Sequence, residues 1–240
     1  MAFTKFADGN PLQAVGFGTC KSPPDVVEQA IKIALEICYR YFDLASSYEN
    51  QKEIGVAFTE AFASGKYKRE DLFMTSKMEK IKEARLAKHI GVSNFNVQLL
   101  NDLYAAAKIK PEDNQVELHP YNQQNGLIDF CQKKGIHVTV YSPLLKGGKV
   151  GEIDPFTDPV LIKIAAKHMK SIAQILVRWG FQRNSNISVL PKTVTPVRIK
   201  ENFEVFDFEL DADDFAEIAM LDRKQRVLDI PKMFGFDVFA

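Results

Sequence analysis

A chain of 240 residues is long enough for one domain with a substantial core, and 46% apolar with 26% charged residues is a globular composition. Lys plus Arg and Asp plus Glu stand at 31 each, so no overall field draws the chain to nucleic acid or to an acidic membrane. No apolar run approaches the ~20 residues of a membrane span, and the N-terminus has no signal-like apolar stretch; the expectation is a cytoplasmic protein.

The first elements follow from turn residues and apolar spacing. Residues 3–18 form a predicted hairpin with its turn at Asp8-Gly9-Asn10, running on into Val15-Gly16-Phe17-Gly18-Thr19. Gly16 and Gly18 have no third glycine at the dinucleotide-loop spacing, which excludes a Rossmann reading. Asp25 is the predicted cap of a helix whose apolar face is Val27, Ala30, Ile31, Ala34, Leu35 and Cys38. A strand over 41–45 precedes a helix marked by Ile54, Ala57, Phe58 and Ala61, and a strand over 72–76 runs into Lys77.

Beyond Lys77 the link over 78–87 is short, just long enough for a parallel crossover as a short helix. Strands follow at 88–93, 114–119, 137–141 and 187–190. Helices are predicted around 97–107, 127–134, 159–169, 171–181, 197–204 and 211–220, and an aromatic tail covers 231–240.

Strands alternating with helices imply a parallel α/β sheet. Thr19, Asp43, Lys77, Ser93, Asn94, Gln115, Tyr141 and Lys192 lie on or just past strands, mostly at C-terminal ends. That distribution over nearly every strand is the pattern of a TIM (β/α)8-type barrel rather than of an open sheet with one crevice. Residues 1–240 are therefore read as a single barrel domain. It is incomplete, with about seven recognisable parallel strands and an N-terminal hairpin where a closed barrel uses eight. Strand number, tilt and shear are coupled, so the loss of a strand predicts an open seam.

Asp43, Tyr48 and Lys77 fall where strands end and loops begin. A phenol has an unperturbed pKa near ~10. A neighbouring ammonium lowers that value and a carboxylate keeps the ammonium charged, so the three residues make an acid suited to protonating a carbonyl oxygen. Taken singly, Asp43 reads as a turn cap and Tyr48 as a packed ring; Lys77 at the end of the next strand shifts that reading. Cys20, Cys38 and Cys131 are an odd count at distant positions, with no CxxC pair, no Cys–His spacing and no HExxH. They are expected to be reduced and mostly buried, and no metal is expected.

Residues 39–55, 88–95 (KHIGVSNF) and 190–193 (LPKT, continued by Arg198, Glu201 and Asn202) resemble the three signatures of the aldo-keto reductases, and 114–122 and 141–144 fit as well. Cys38 and Tyr41 depart from the usual residues of the first signature. The resemblance implies a (β/α)8 barrel that binds NADP(H) in extended form and reduces small aldehydes and ketones, or oxidises the alcohols. It implies Asp43, Tyr48 and Lys77 as catalytic residues, with Tyr48 the proton donor. Ser93, Asn94 and Gln115 would hold the carboxamide, Tyr141 would stack on the nicotinamide, and Gly18 and Thr19 would lie beside it. Ser142 and Leu144 match pyrophosphate-side positions. Lys192, Thr193 and Arg198 match the 2′-phosphate site, with Pro191 and Val194 beside them as cofactor-binding positions and Glu201 and Asn202 near the adenine. On spacing alone, Lys192 and Arg198 at a helix start read equally as a solvated surface or a phosphate site.

The family's fourth catalytic residue, a histidine at the end of the fourth strand, has no counterpart. The chain's histidines are His89, His119, His137 and His168, none in the matching context. His89 and His119 read as structural. The segment after Lys77 resembles the end of the helix before the second signature, as though the intervening block were removed. The expectation is an impaired reductase, with an inert NADP(H)-binding relative or an unstable truncated product as alternatives. Substrate and oligomeric state are open at this point.

Overall fold

The computed structural model describes residues 2–77, 87–148 and 151–228, with Lys77 described in its backbone alone. Strand β1 (Phe3–Lys5) pairs antiparallel with β2 (Pro11–Gln13), as the turn at Asp8-Gly9-Asn10 requires. Seven parallel strands follow among the described residues: β3 (Phe17–Gly18), β4 (Tyr41–Ala45), β5 (Phe73–Lys77), β6 (Gly91–Ser93), β7 (Asp113–Glu117), β8 (His137–Tyr141) and β9 (Ile187–Val189). Helices α1 (Pro24–Glu36), α2 (Gln51–Ala63), α3 (Val97–Ala106), α4 (Asn125–Lys134), α5 (Pro159–His168) and α6 (Ile172–Gln182) serve as crossovers; α7 (Pro196–Phe203) and α8 (Ala212–Ala219) follow β9.

The ladders run β6-β7-β8-β9 and β3-β4-β5. Parallel bridges Val15–Val189 and Gly18–Lys192 join β9 to the β3 segment, which makes one continuous arc of the seven strands. Its free ends are β5 and β6, and among the described residues no ladder joins them. The arc is nevertheless rolled. The Tyr41 hydroxyl on β4 lies 3.2 Å from Thr139 Oγ1 on β8, and Gln115 on β7 donates to Asp43 on β4 at 2.8 Å. Strands that share no ladder thus meet across the interior, as in a barrel wall. The predicted seam falls at β5–β6; of the short link expected over 78–87, residues 78–86 lie outside the described residues, as does the aromatic tail.

Two apolar layers hold the wall. Inside, the hairpin's Phe6 and Leu12 pack on Tyr41 and Leu190, plugging the end where the strands begin. Outside, Val27 and Ile31 of α1, Trp179 of α6 and Val138 of β8 belong to the main core between strands and helices. Gly16 permits the close approach: a Cβ there would lie 2.6 Å from the Tyr41 ring and 2.7 Å from Leu190.

Several expected details differ. Asp25 does not cap α1; Pro24 opens the helix, where its missing N–H is no loss, and Asp25 sits in the first turn against the helix dipole. Cys38 lies past the end of α1 at φ +80° and is exposed, as is Cys20, so Cys131 alone is a buried thiol. The strand expected over 88–93 pairs only over 91–93, because β6 has β7 on one side and no described partner on the other. No helix among the described residues is long and apolar enough to cross a membrane.

Candidate active site

The C-terminal ends of the strands gather the polar residues singled out above. Asp43, central in β4, is 5% exposed. One carboxylate oxygen, Oδ1, accepts from Thr75 Oγ1 at 2.8 Å and from Gln115 Nε2 at 2.8 Å; the other, Oδ2, accepts from the Tyr48 hydroxyl at 3.3 Å. Its backbone carbonyl takes the Thr19 hydroxyl at 2.7 Å. A buried carboxylate must be satisfied in this way, and here its partners come from the segments of β3, β5 and β7 as well as its own. Asp43 is the hub of the mouth.

Tyr48 stands in a short 3-10 turn, Ser46–Tyr48, that β4 feeds directly. Its half-buried phenol is pushed well above the ordinary tyrosine range, by burial first, then by the Asp43 charge and by Cys20, which also shares a hydrogen bond with it. The proton therefore stays on the oxygen at neutral pH. The lowering by Lys77 expected from the sequence depends on a side chain outside the described residues. The backbone of Lys77 lies opposite Ala45, at the mouth end of β5.

Around the arc, Ser93 Oγ donates to the Gln115 carbonyl at 3.0 Å and the Asn94 N–H to the same oxygen at 2.9 Å. Asn94 takes φ +62°, a conformation asparagine tolerates better than most residues, and its Oδ1 accepts from the Tyr141 hydroxyl at 2.8 Å. Tyr141 is half-buried at the end of β8, its phenol raised by burial and by Glu117. The chain then turns sharply, with Ser142 at φ +53° and Leu144 partly buried.

Lys192 bridges Gly18, next to Thr19, so the β9 end adjoins the Asp43 cluster. Thr193 Oγ1 accepts from the Thr195 N–H at 3.2 Å and leads into α7, which opens on Pro196. Lys192 and Arg198 are exposed, and neither has an ion pair among the described residues. Pro191 is buried, Val194 and Glu201 are half-buried, and Asn202 is buried on the second half of α7.

Four participants escaped the sequence reading. Thr75 ties Asp43 down from the middle of β5. Cys20 follows Thr19 and meets the Tyr48 phenol. Glu117 is fully buried and accepts the N–H groups of Val227 and Leu228 at 2.6 and 2.8 Å, latching the chain beyond α8 over β7. Arg226 in that segment lies close enough to bias Tyr141 and donates to Gln124 at 3.1 Å.

All four histidines are engaged away from Tyr48. His89 pairs with Glu112, His119 with Glu117, and His168 with Asp214. His137, at the start of β8, contacts Asp113, Thr4 and Ser188.

The Aldo/keto reductase family model matches residues 78–223. This chain belongs to that family. Gallus gallus aldo-keto reductase family 1 member A1 is 34% identical over 94% of this chain and 90% of its own length. The NADP-dependent D-sorbitol-6-phosphate dehydrogenase of Malus domestica is 31% identical across 100% of both chains. That alignment runs over 314 residues against the 240 here, so the apple enzyme carries internal sequence that this chain lacks. Among solved structures, a Bombyx mori aldo-keto reductase in complex with NADP superposes with a TM-score of 0.90 at 28% identity, covering 99% of this chain and 98% of that one. The aldose reductase of Schistosoma japonicum gives 0.89 at 30% identity, over 100% and 98%. This aldo-keto reductase thus keeps the family's barrel architecture with seven parallel strands described.

Proposed function

We propose that the chain is an NADP(H)-dependent reductase of small aldehydes or ketones, slowed by the missing histidine, acting as a single cytoplasmic domain. The observation that carries this reading is the Tyr48 hydroxyl resting on the Asp43 carboxylate at the mouth of the strands, with Asp43 itself tied to Thr75 and Gln115.

The chain's own groups fit the cofactor. The Tyr141 ring is partly open at the mouth and anchored by its hydroxyl, which suits a flat face for an aromatic ring. Ser93, Asn94 and Gln115 offer amide and hydroxyl groups beside it, Gly18 and Thr19 border it, and Ser142 and Leu144 border the path away from it. Lys192, Thr193 and Arg198, with the start of α7 and flanked by Pro191 and Val194, offer two cations and a helix N-terminus to a phosphate monoester. Glu201 and Asn202 stand one turn further along, for the adenine. When bound, NADPH supplies the hydride for the carbonyl carbon.

Tyr48 gives its proton to the carbonyl oxygen. The raised pKa keeps that proton in place until substrate arrives, and the 3.3 Å contact to Asp43 is long enough to exchange for a carbonyl acceptor. Lys77, whose backbone ends β5 opposite Ala45, offsets the phenolate charge that remains, and Asp43 orients the pair. With every histidine engaged elsewhere, no histidine serves as a second donor to the carbonyl oxygen, a loss worth about 10²–10³ in kcat. The substrate is a small carbonyl compound such as a sugar or simple aldehyde; two of the relatives are named an aldose reductase and a D-sorbitol-6-phosphate dehydrogenase.

A second reading, an NADP(H)-binding protein without turnover, is favoured by the full cofactor-side set beside an incomplete catalytic set. NADPH consumption by the purified protein over an aldehyde panel separates the two. The reductase reading predicts slow turnover that Tyr48→Phe abolishes. Cofactor affinity without turnover selects the binding protein, and turnover that survives Tyr48→Phe contradicts the roles assigned here.

A further inference from the structure

A second polar cluster lies at the opposite end of the barrel, where the seam between β5 and β6 begins. We propose that Asp8, His89 and Glu112 form a site for a divalent transition metal, with Zn²⁺ the cation its donors suit best. Asp8 comes from the hairpin turn, His89 from the segment entering β6, and Glu112 from the segment entering β7. One oxygen or nitrogen from each lies within 4.8 Å of the other two. Spacings of 81 and 23 residues between them carry no recognisable ligand motif, so the sequence gives no sign of the cluster.

The imidazole is held for the task. Its ring stacks on Phe6 at 4.1 Å with an interplanar angle of 7°, and its side chain is 8% exposed. Without a metal, the 2.6 Å contact of Nδ1 with Glu112 Oε2 holds a ring proton on that nitrogen, while Nε2 lies 3.5 Å from the Asn10 amide nitrogen. Nδ1 is the nitrogen aimed at both carboxylates, 2.6 Å from Glu112 Oε2 and 3.9 Å from Asp8 Oδ2. A metal ion would displace that proton, and the neutral ring would then carry its one proton on Nε2, as a histidine ligand does.

The dimensions suit it. Ligands ~2.0–2.2 Å from a tetrahedral zinc lie about 3.3 Å apart. The longer separation closes by movement of Asp8, 45% exposed on a turn and steadied by Asn10 Nδ2 at 2.6 Å, and the shorter one opens by a small shift of the half-buried Glu112. Around a neutral ring the two carboxylates leave a double negative charge, which a divalent cation balances. One nitrogen and two oxygens are donors that zinc accepts readily, with water filling the solvent side. The metal would clamp the hairpin to the β6–β7 edge, where among the described residues β6 has no ladder to β5.

The test is the thermal transition of chelator-treated protein with and without ZnCl₂, together with the visible absorption of added Co²⁺. A ligand that binds only the folded state raises the transition, so a rise of several degrees, reversed by chelator, is expected. His89→Phe keeps a ring on Phe6, and Asp8→Asn alters only an exposed turn. Both variants should melt cooperatively without metal and lose both the zinc-dependent rise and the Co²⁺ band. No rise in the parent protein overturns the proposal. So does a rise that survives in either variant, which would put the metal elsewhere, at Cys20 or Cys38 for example.

Discussion

The two arcs that flank the seam are unequally equipped. The arc β6-β7-β8-β9 is an unbroken parallel ladder, backed by α3 to α6, and the segment beyond α8 is fastened to it through Glu117. It presents Ser93, Asn94, Gln115 and Tyr141, a platform with every described hydroxyl and amide partnered. The arc β3-β4-β5 carries Asp43, Tyr48 and Lys77 and ends at the seam, with the third of these on its last strand. Both arcs end at the seam, in β6 and in β5, and the reacting groups lie on one while most of the binding surface lies on the other. The Gln115–Asp43 hydrogen bond, beside the bridges of β9 to the β3 segment, lets one arc hold the other's chemistry in place.

The largest effect that separates the arcs is expected from Tyr48→Phe. Loss of a positioned general acid should lower kcat by about 10²–10⁴, while the NADPH dissociation constant, measured by fluorescence titration, stays within twofold of the parent. A parallel loss of affinity would mean that the two arcs are not separable. Next is the double variant Lys192→Ala with Arg198→Ala. Removing charge-assisted contacts to a phosphate should weaken NADPH by roughly ten- to a hundredfold, with NADH binding unchanged; equal weakening of both would remove the 2′-phosphate role. Glu117→Gln places an amide donor against backbone N–H groups in a buried pocket. It should cost about 1–3 kcal/mol in urea unfolding.

The smallest expected effect lies far from the site. Asp211 caps α8 and is held at about 2 by the Lys167 ammonium first and the Asp214 backbone N–H second. A folded-state pKa below the unfolded one contributes stability that is complete above the ordinary carboxylate range, near ~4, and fades as the pH falls toward the folded value. The unfolding midpoint should therefore decline between these limits, and Asp211→Asn should flatten that decline, more visibly at low salt.

Much of this was legible in the sequence, for physical reasons that differ by region. A carboxylate within an apolar strand is conspicuous, so Asp43 stands out between Phe42 and Leu44. Thr75 does not, because threonine is an ordinary strand residue and only the structure puts its hydroxyl on Asp43. The hairpin turn was readable from Asp8-Gly9-Asn10, but the stacking of Phe6 on His89 joins residues far apart in the chain, beyond any local pattern. Asp25 misled because a capping residue and a proline compete for the same helix start, and Pro24 with its fixed φ took the first helical position. Cys38 followed the apolar period of α1 by one step too many. The Glu117 latch has no periodic signature, since a buried glutamate in a strand is recognisable only once the backbone groups it satisfies are seen.

The most direct test of the account is the thermal unfolding curve of the pure protein with and without saturating NADPH. The claim is that an arc of seven described strands still rolls into a barrel that holds its cofactor across the Asp43–Gln115 link. Binding to the folded state alone at ~100 times the dissociation constant adds about 2.7 kcal/mol, a rise of roughly 5–10 °C for a chain of this size. The account predicts one cooperative transition that moves upward by that amount. A cooperative transition indifferent to NADPH, or no cooperative transition at all, would contradict it.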